Sequence, residues 1–235
     1  MKPMALLAVT AAAMLGCSGA PDDIENGSED LTQLAPLHDR AFYAHIAESA
    51  GIDVKKGPVV IGLRGVSRNG AFHPTRTQQV FDDVITVLKA DGSVLELPAS
   101  THPWFSVTTT APDVDGDGKP DVGMIRPDRY RAVARPSTRD IAGLPTYHVT
   151  TTNGSDRLPG WRDTNQDGTY DEHERAVSEK RNDTLGAVLF HQGGSSAPPA
   201  IGCQVFSAEN TRRFVEAVGR GVSFDYVLVD APSTP

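Results

Sequence analysis

The residues best equipped for covalent chemistry are a thiol and an imidazole twelve positions apart, Cys203 and His191. Cys203 follows Gly202, which permits close approach of a substrate carbonyl. Two adjacent backbone N–H groups, those of Gly202 and Cys203, suit the oxyanion of an acyl-transfer intermediate. His191 ends the apolar run Ala187-Val188-Leu189-Phe190 and is expected at a strand tip. The Gly- and Pro-rich stretch 193–199 then forms a loop able to return the chain beside it. A Cys–His pair within hydrogen-bond reach is the usual route to a thiolate near neutral pH, so the thiol pKa is expected to fall. The competing reading is a buried, inert thiol and a histidine that bonds a loop carbonyl.

Two acidic loops offer a second chemistry. Residues 163–174 fill a twelve-position calcium loop: Asp163, Asn165, Asp167 and Asp171 at positions 1, 3, 5 and 9, the carbonyl of Thr169 at position 7, and Glu174 at position 12. Gly168 supplies the sharp turn at position 6. Asp113, Asp115, Asp117 and Asp121 repeat the first nine positions, but Met124 stands at position 12. A solvated polar turn is the alternative for each, and a closer one for the second loop. Neither loop shows two flanking helices, so structural Ca2+ that rigidifies loops is expected, not a calcium-sensing helix pair.

The N-terminus bears on the thiol count. Lys2 is followed by an apolar or small-residue run from Met4 to Leu15, then Gly16-Cys17. That run is too short to span a bilayer, which needs about 20 residues, and it fits a secretory signal. Gly16-Cys17 resembles a bacterial lipobox, which implies lipidation at Cys17; plain secretion is the alternative. With Cys17 acylated, Cys203 has no partner in the chain, and an odd exported thiol points to intermolecular pairing or a reactive site. Residues 18–36 carry Asp22, Asp23, Glu25, Glu29 and Asp30 with no Lys or Arg, the composition of a flexible acidic tether. The whole chain has net charge −8. With Lys2 and those five carboxylates set aside, 21 basic and 25 acidic residues remain, and no basic patch suits nucleic acid. Residues 37–235 are then one globular domain, expected as a monomer.

The elements that must position these groups are mostly strands. Helices are predicted over 37–50, stopped by Gly51, and from a Ser207 cap through Val218, stopped by Gly219. Strands are predicted at 59–63, at 84–89 and 94–97 around an Asp91-Gly92 turn, and at 130–134, 146–151, 187–191 and 224–229. The fold class is α+β and β-rich, a sandwich or barrel with one or two peripheral helices.

Taken together, His191 with Gly193 and Ile201-Gly202-Cys203 resemble the signature of L,D-transpeptidases of the YkuD type. The order Phe81-Asp82-Asp83, Arg126 to Arg131, the loop from Asp163 to Gly168, His191 and Gly202 to Phe206 is similar to a bacterial and phage branch of that superfamily. The likeness covers roughly residues 59–218. It implies a β-rich cysteine enzyme in which His191 deprotonates Cys203, the Gln192 carbonyl orients the imidazole, and the thiol attacks peptidoglycan stem peptides. The partner it implies is peptidoglycan; the lipobox likeness at Cys17 adds a membrane, and Ser18 in place of Asp after it favours, by the lipoprotein sorting rule of Gram-negative bacteria, the periplasmic face of the outer membrane. Ala200 replaces the family's Ser or Thr, and Gln204-Val205 replaces an apolar-Arg pair. Those departures leave open transfer, hydrolysis by a carboxypeptidase or endopeptidase, and non-catalytic calcium-dependent wall binding.

Overall fold

The computed structural model describes residues 37–73, 81–103, 111–134, 140–141, 143–193 and 202–231. Cys17, the signal and the tether lie outside them, as does Ala200. Helix α1 (Arg40–Ser49) starts at Asp39, whose carboxylate accepts the Phe42 N–H at 2.9 Å, and gives way to Gly51 at φ 75°. Strands β1 (Val59–Arg64), β2 (Asp83–Leu88) and β3 (Val94–Ala99) follow, the last two joined through the Asp91-Gly92 turn. Asp91 accepts both the N–H and the hydroxyl of Ser93, and Gly92 takes the φ of 93° that the turn requires. Next come β4 (Val122–Ile125), β5 (Asp128–Val133), β6 (Tyr147–Thr151) and β7 (Leu158–Asp163). Helix α2 (Glu172–Arg181), β8 (Thr184–Leu185), β9 (Leu189–Gln192), β10 (Gln204–Phe206), α3 (Ala208–Val218) and β11 (Phe224–Asp230) complete the described chain.

Eight strands form one mixed sheet in the order β10-β9-β6-β5-β11-β1-β2-β3. Its two edges approach each other: Ser100, just after β3, exchanges both backbone hydrogen bonds with Val205 of β10, at 2.8 and 2.9 Å. The sheet is therefore a nearly closed barrel. The α+β, β-rich class is as expected, with three described helices where one or two were predicted.

Alternation divides the side chains into two cores. Inward residues such as Val60, Ile85, Leu97, Tyr130, Tyr147 and Tyr226 fill the barrel. Helix α3 covers that interior with Phe214, Val215 and Val218, and its Phe214 ring stacks on Phe190 and Phe206 at centroid distances of 5.3 and 4.7 Å. Burial of one such ring stabilises by roughly 1.5–3 kcal/mol. Outward residues of β1 and β2, including Val59, Ile61, Val84 and Leu88, pack under Tyr43 and Ala47 of α1. Strands β4, β7 and β8 form a separate small sheet that carries α2 and both acidic loops.

Candidate active site and acidic loops

Strands β9 and β10 run parallel, with Gln204 opposite Phe190 and Val205 opposite His191. Phe190 and Phe206 point into the barrel, so His191 and Val205 point outward. The same alternation, carried back from Gln204, sets Cys203 on that outer face beside Leu189. Cys203 and His191 are thus diagonal neighbours on adjacent strands. The opposite face is pinned: Gln204 Oε1 accepts the buried Tyr226 hydroxyl at 2.7 Å.

His191 is buried, and its Nδ1 lies 2.7 Å from the Gln192 carbonyl oxygen. A carbonyl only accepts, so Nδ1 carries the proton and Nε2 keeps a lone pair. This is the orientation expected for a base. Burial lowers the imidazole pKa, against the opposing effect of the Gln192 bond.

The thiol departs from expectation. Cys203 is half-buried, its sulfur donates to the Ala187 carbonyl at 3.9 Å, and no described hydrogen bond joins it to His191. Burial pushes its pKa up to about 11, against the lowering effect of a Leu189 backbone hydrogen bond. The lowered pKa predicted for this thiol is corrected: with no described hydrogen bond to the imidazole, desolvation decides. At neutral pH both groups are uncharged.

The reason for Gly202 also changes. Its φ is 89°, and a methyl group there would sit 2.8 Å from Leu185 Cδ2 and 2.9 Å from the Gly123 carbonyl oxygen. The glycine is required by backbone conformation and by packing against β4 and β8, so close approach of a substrate is not needed to explain it.

The 163–174 loop leaves the end of β7 and enters α2, so an exiting helix is present where no flanking helix pair was read. Asp171 caps it by accepting the Glu174 N–H at 2.8 Å, while Glu174 Oε2 accepts the Asp171 N–H at 3.1 Å. Glu174 Oε1 accepts the Thr164 and Asn165 N–H groups at 2.8 and 3.1 Å. Asp163 Oδ2 accepts the Gly168 N–H at 2.9 Å, Asn165 Oδ1 the Asp167 N–H at 2.8 Å, and Asp167 Oδ1 the Thr169 N–H at 2.7 Å. Asp163 is fully buried, yet its Oδ1 has no hydrogen-bond partner. Burial, with Glu174 and Asp167 nearby, raises its pKa to about 6 despite the Gly168 bond. An orphaned buried acceptor costs about 1–3 kcal/mol, more when charged.

The 113–121 loop is self-satisfied by comparison. Oxygens of Asp113, Asp115 and Asp117 lie within 4.8 Å of one another, but all three residues are exposed. Asp113 accepts the Gly116 and Gly118 N–H groups, Asp115 that of Asp117, and Asp117 that of Lys119. Asp121 is buried with both oxygens used, by the Val114 N–H at 2.6 Å and by Gln166 Nε2 at 3.0 Å. Met124, at the loop's twelfth position, lies opposite Trp161 across the β4–β7 pair and packs with it and Tyr170.

One polar network lay outside the site read from sequence. Buried His102 bonds Asp82 at 2.9 Å, and Asp83 accepts the Gly65 N–H and both the N–H and hydroxyl of Thr101. Fully buried Arg64 donates to Thr101 and, at 3.1 Å, to Asp230. Phe81-Asp82-Asp83 entered only through the resemblance; pairing across 18 to 166 residues leaves no local pattern to read. No protein-family model matches the chain, and no curated protein matches it.

Proposed function

We propose that the protein is a lipid-anchored cysteine acyltransferase of the cell envelope, acting on peptidoglycan stem peptides as an L,D-transpeptidase does. The observation that carries this reading is the 2.7 Å contact between His191 Nδ1 and the Gln192 carbonyl, on the sheet face that Cys203 shares. That contact leaves Nε2 as the lone-pair nitrogen. With a thiol near pKa 11 and an imidazole below its usual value, a resting thiolate–imidazolium pair is disfavoured. Proton transfer to Nε2 therefore accompanies attack of sulfur on the substrate carbonyl. The sulfur–carbon bond forms as the leaving amine departs with a proton from His191, and the thioester then passes to an amine or to water.

A second reading, a non-catalytic wall-binding protein of the same fold, is favoured by the missing sulfur–imidazole hydrogen bond. Incubation with tetrapeptide muropeptides and mass spectrometry separates them. Cross-linked dimers are expected for transfer and tripeptides for carboxypeptidase action, both abolished in Cys203→Ala. Bound muropeptide with no product refutes the enzyme reading.

A further inference from the structure

We propose that the 163–174 loop binds a divalent cation of the calcium class and that this cation sets the position of Cys203 through Leu185. Two observations meet here. The first is the loop's donor set, oxygen only, with the fully buried Asp163 held inward by Gly168 while its Oδ1 is left without a partner. A hard cation takes such oxygens at flexible geometry, and the unused oxygen is the ligand it would claim. Glu174 Oε2 accepts only the Asp171 N–H, which leaves it a lone pair for the same ion.

The second is the short path from that loop to the thiol. Both ends of the loop lead to β8: Asp163 closes β7, which pairs with β8 through Leu158 and Pro159, and α2 runs into β8 after Asn182. Arg162, beside Asp163, donates to the Thr184 carbonyl at 2.8 Å and to the Asp121 carbonyl at 3.2 Å. Leu185 then sits in a socket of three glycines. A β-carbon at Gly160, Gly123 or Gly202 would lie 1.9, 3.1 or 2.8 Å from its methyl carbons. Gly202 is bonded to Cys203. An ion that ties β7 to the start of α2 fixes Leu185, and Leu185 fixes the turn that presents the sulfur.

This inference is independent of acyl transfer, because thiol reactivity reads it without a substrate. Calorimetric calcium titration of the full-length chain should give tight binding, weakened at least 30-fold in Asp163→Asn, which keeps an acceptor for Gly168. Modification of Cys203 by iodoacetamide, followed at its own peptide by mass spectrometry, should speed up about tenfold when calcium is chelated. Leu185→Val should bind calcium like the parent yet lose most of that dependence. Equal affinity in Asp163→Asn overturns the site. Calcium binding with an unchanged thiol rate overturns the coupling, and circular dichroism of each variant separates either result from unfolding.

Discussion

The thiol of Cys203 should titrate near pH 11, and a full-length Cys17→Ser chain isolates it for measurement. At pH 7.5 an ordinary cysteine of pKa about 8.5 is roughly 9% thiolate, whereas a group at pKa 11 is about 0.03% thiolate, a deficit of about 300-fold. Each thiolate is the more nucleophilic for its higher basicity. With a Brønsted slope of about 0.45, the 2.5-unit difference returns roughly 13-fold. Reaction with an aromatic disulfide at pH 7.5 should therefore run about 20-fold slower than with free cysteine, and half-burial slows it further. Stopped-flow rates from pH 6 to 11.5 should rise tenfold per unit without levelling below pH 10. His191→Gln should barely move this curve, because no described hydrogen bond joins the two side chains. A plateau below pH 8, or a rate above that of free cysteine, would refute the reasoning and require a thiolate-stabilising contact.

Gly202→Ala should destabilise by about 1–3 kcal/mol in denaturant titration, since the methyl meets both Leu185 and Gly123 from a left-handed backbone. Tyr43→Phe should cost about 1–3 kcal/mol by the same measurement, because the buried Glu96 carboxylate loses its Tyr43 hydroxyl donor. Burial lowers the His102 pKa, but the bond to Asp82 and the charges of Asp83 and Asp82 more than offset it, so the folded value is raised. Its stabilisation is complete below the unfolded value of about 6.5 and is lost as pH rises through the folded one. Melting temperatures recorded from pH 5.5 to 8.5 should fall more steeply for the parent chain than for His102→Gln.

Much of the barrel is legible because its strands alternate or run apolar between turn residues. The Asp91-Gly92 turn and the Ser207 cap appear where spacing puts them, since a local hydrogen bond fixes each. Helix α2 escapes because Glu-His-Glu-Arg-Ala-Val-Ser-Glu-Lys-Arg has no apolar stripe. Its buried positions are Glu174 and Ser178, which bond the loop and the Arg162 N–H. Polar satisfaction holds this helix where amphipathicity usually would. Strands β4, β7 and β8 are short or carry Gly and Pro, and long-range packing holds them: Met124 and Trp161 pack with Tyr170, while Ile125, Leu158 and Leu185 join the barrel's core.

The same division applies to the site. That His191 stands near the end of its strand is readable from position, whereas its bond to the Gln192 carbonyl is what the resemblance implies. The diagonal offset of Cys203 is not readable from position, because one residue of slip between β9 and β10 would send the thiol into the barrel. Two contacts set that register from outside the motif: Tyr226 holding Gln204, and Ser100 holding Val205. Gln204, which stands where the family pattern has an apolar residue, while Val205 stands where it has the Arg, is here the residue that locks the register. A Gln204→Leu change toward that pattern would strip the buried Tyr226 hydroxyl of its acceptor. It should therefore lower stability, and lose activity through the register instead of gaining it through substrate contacts. Raised transfer activity in that variant would show that Gln204 is a specificity residue and not a structural one.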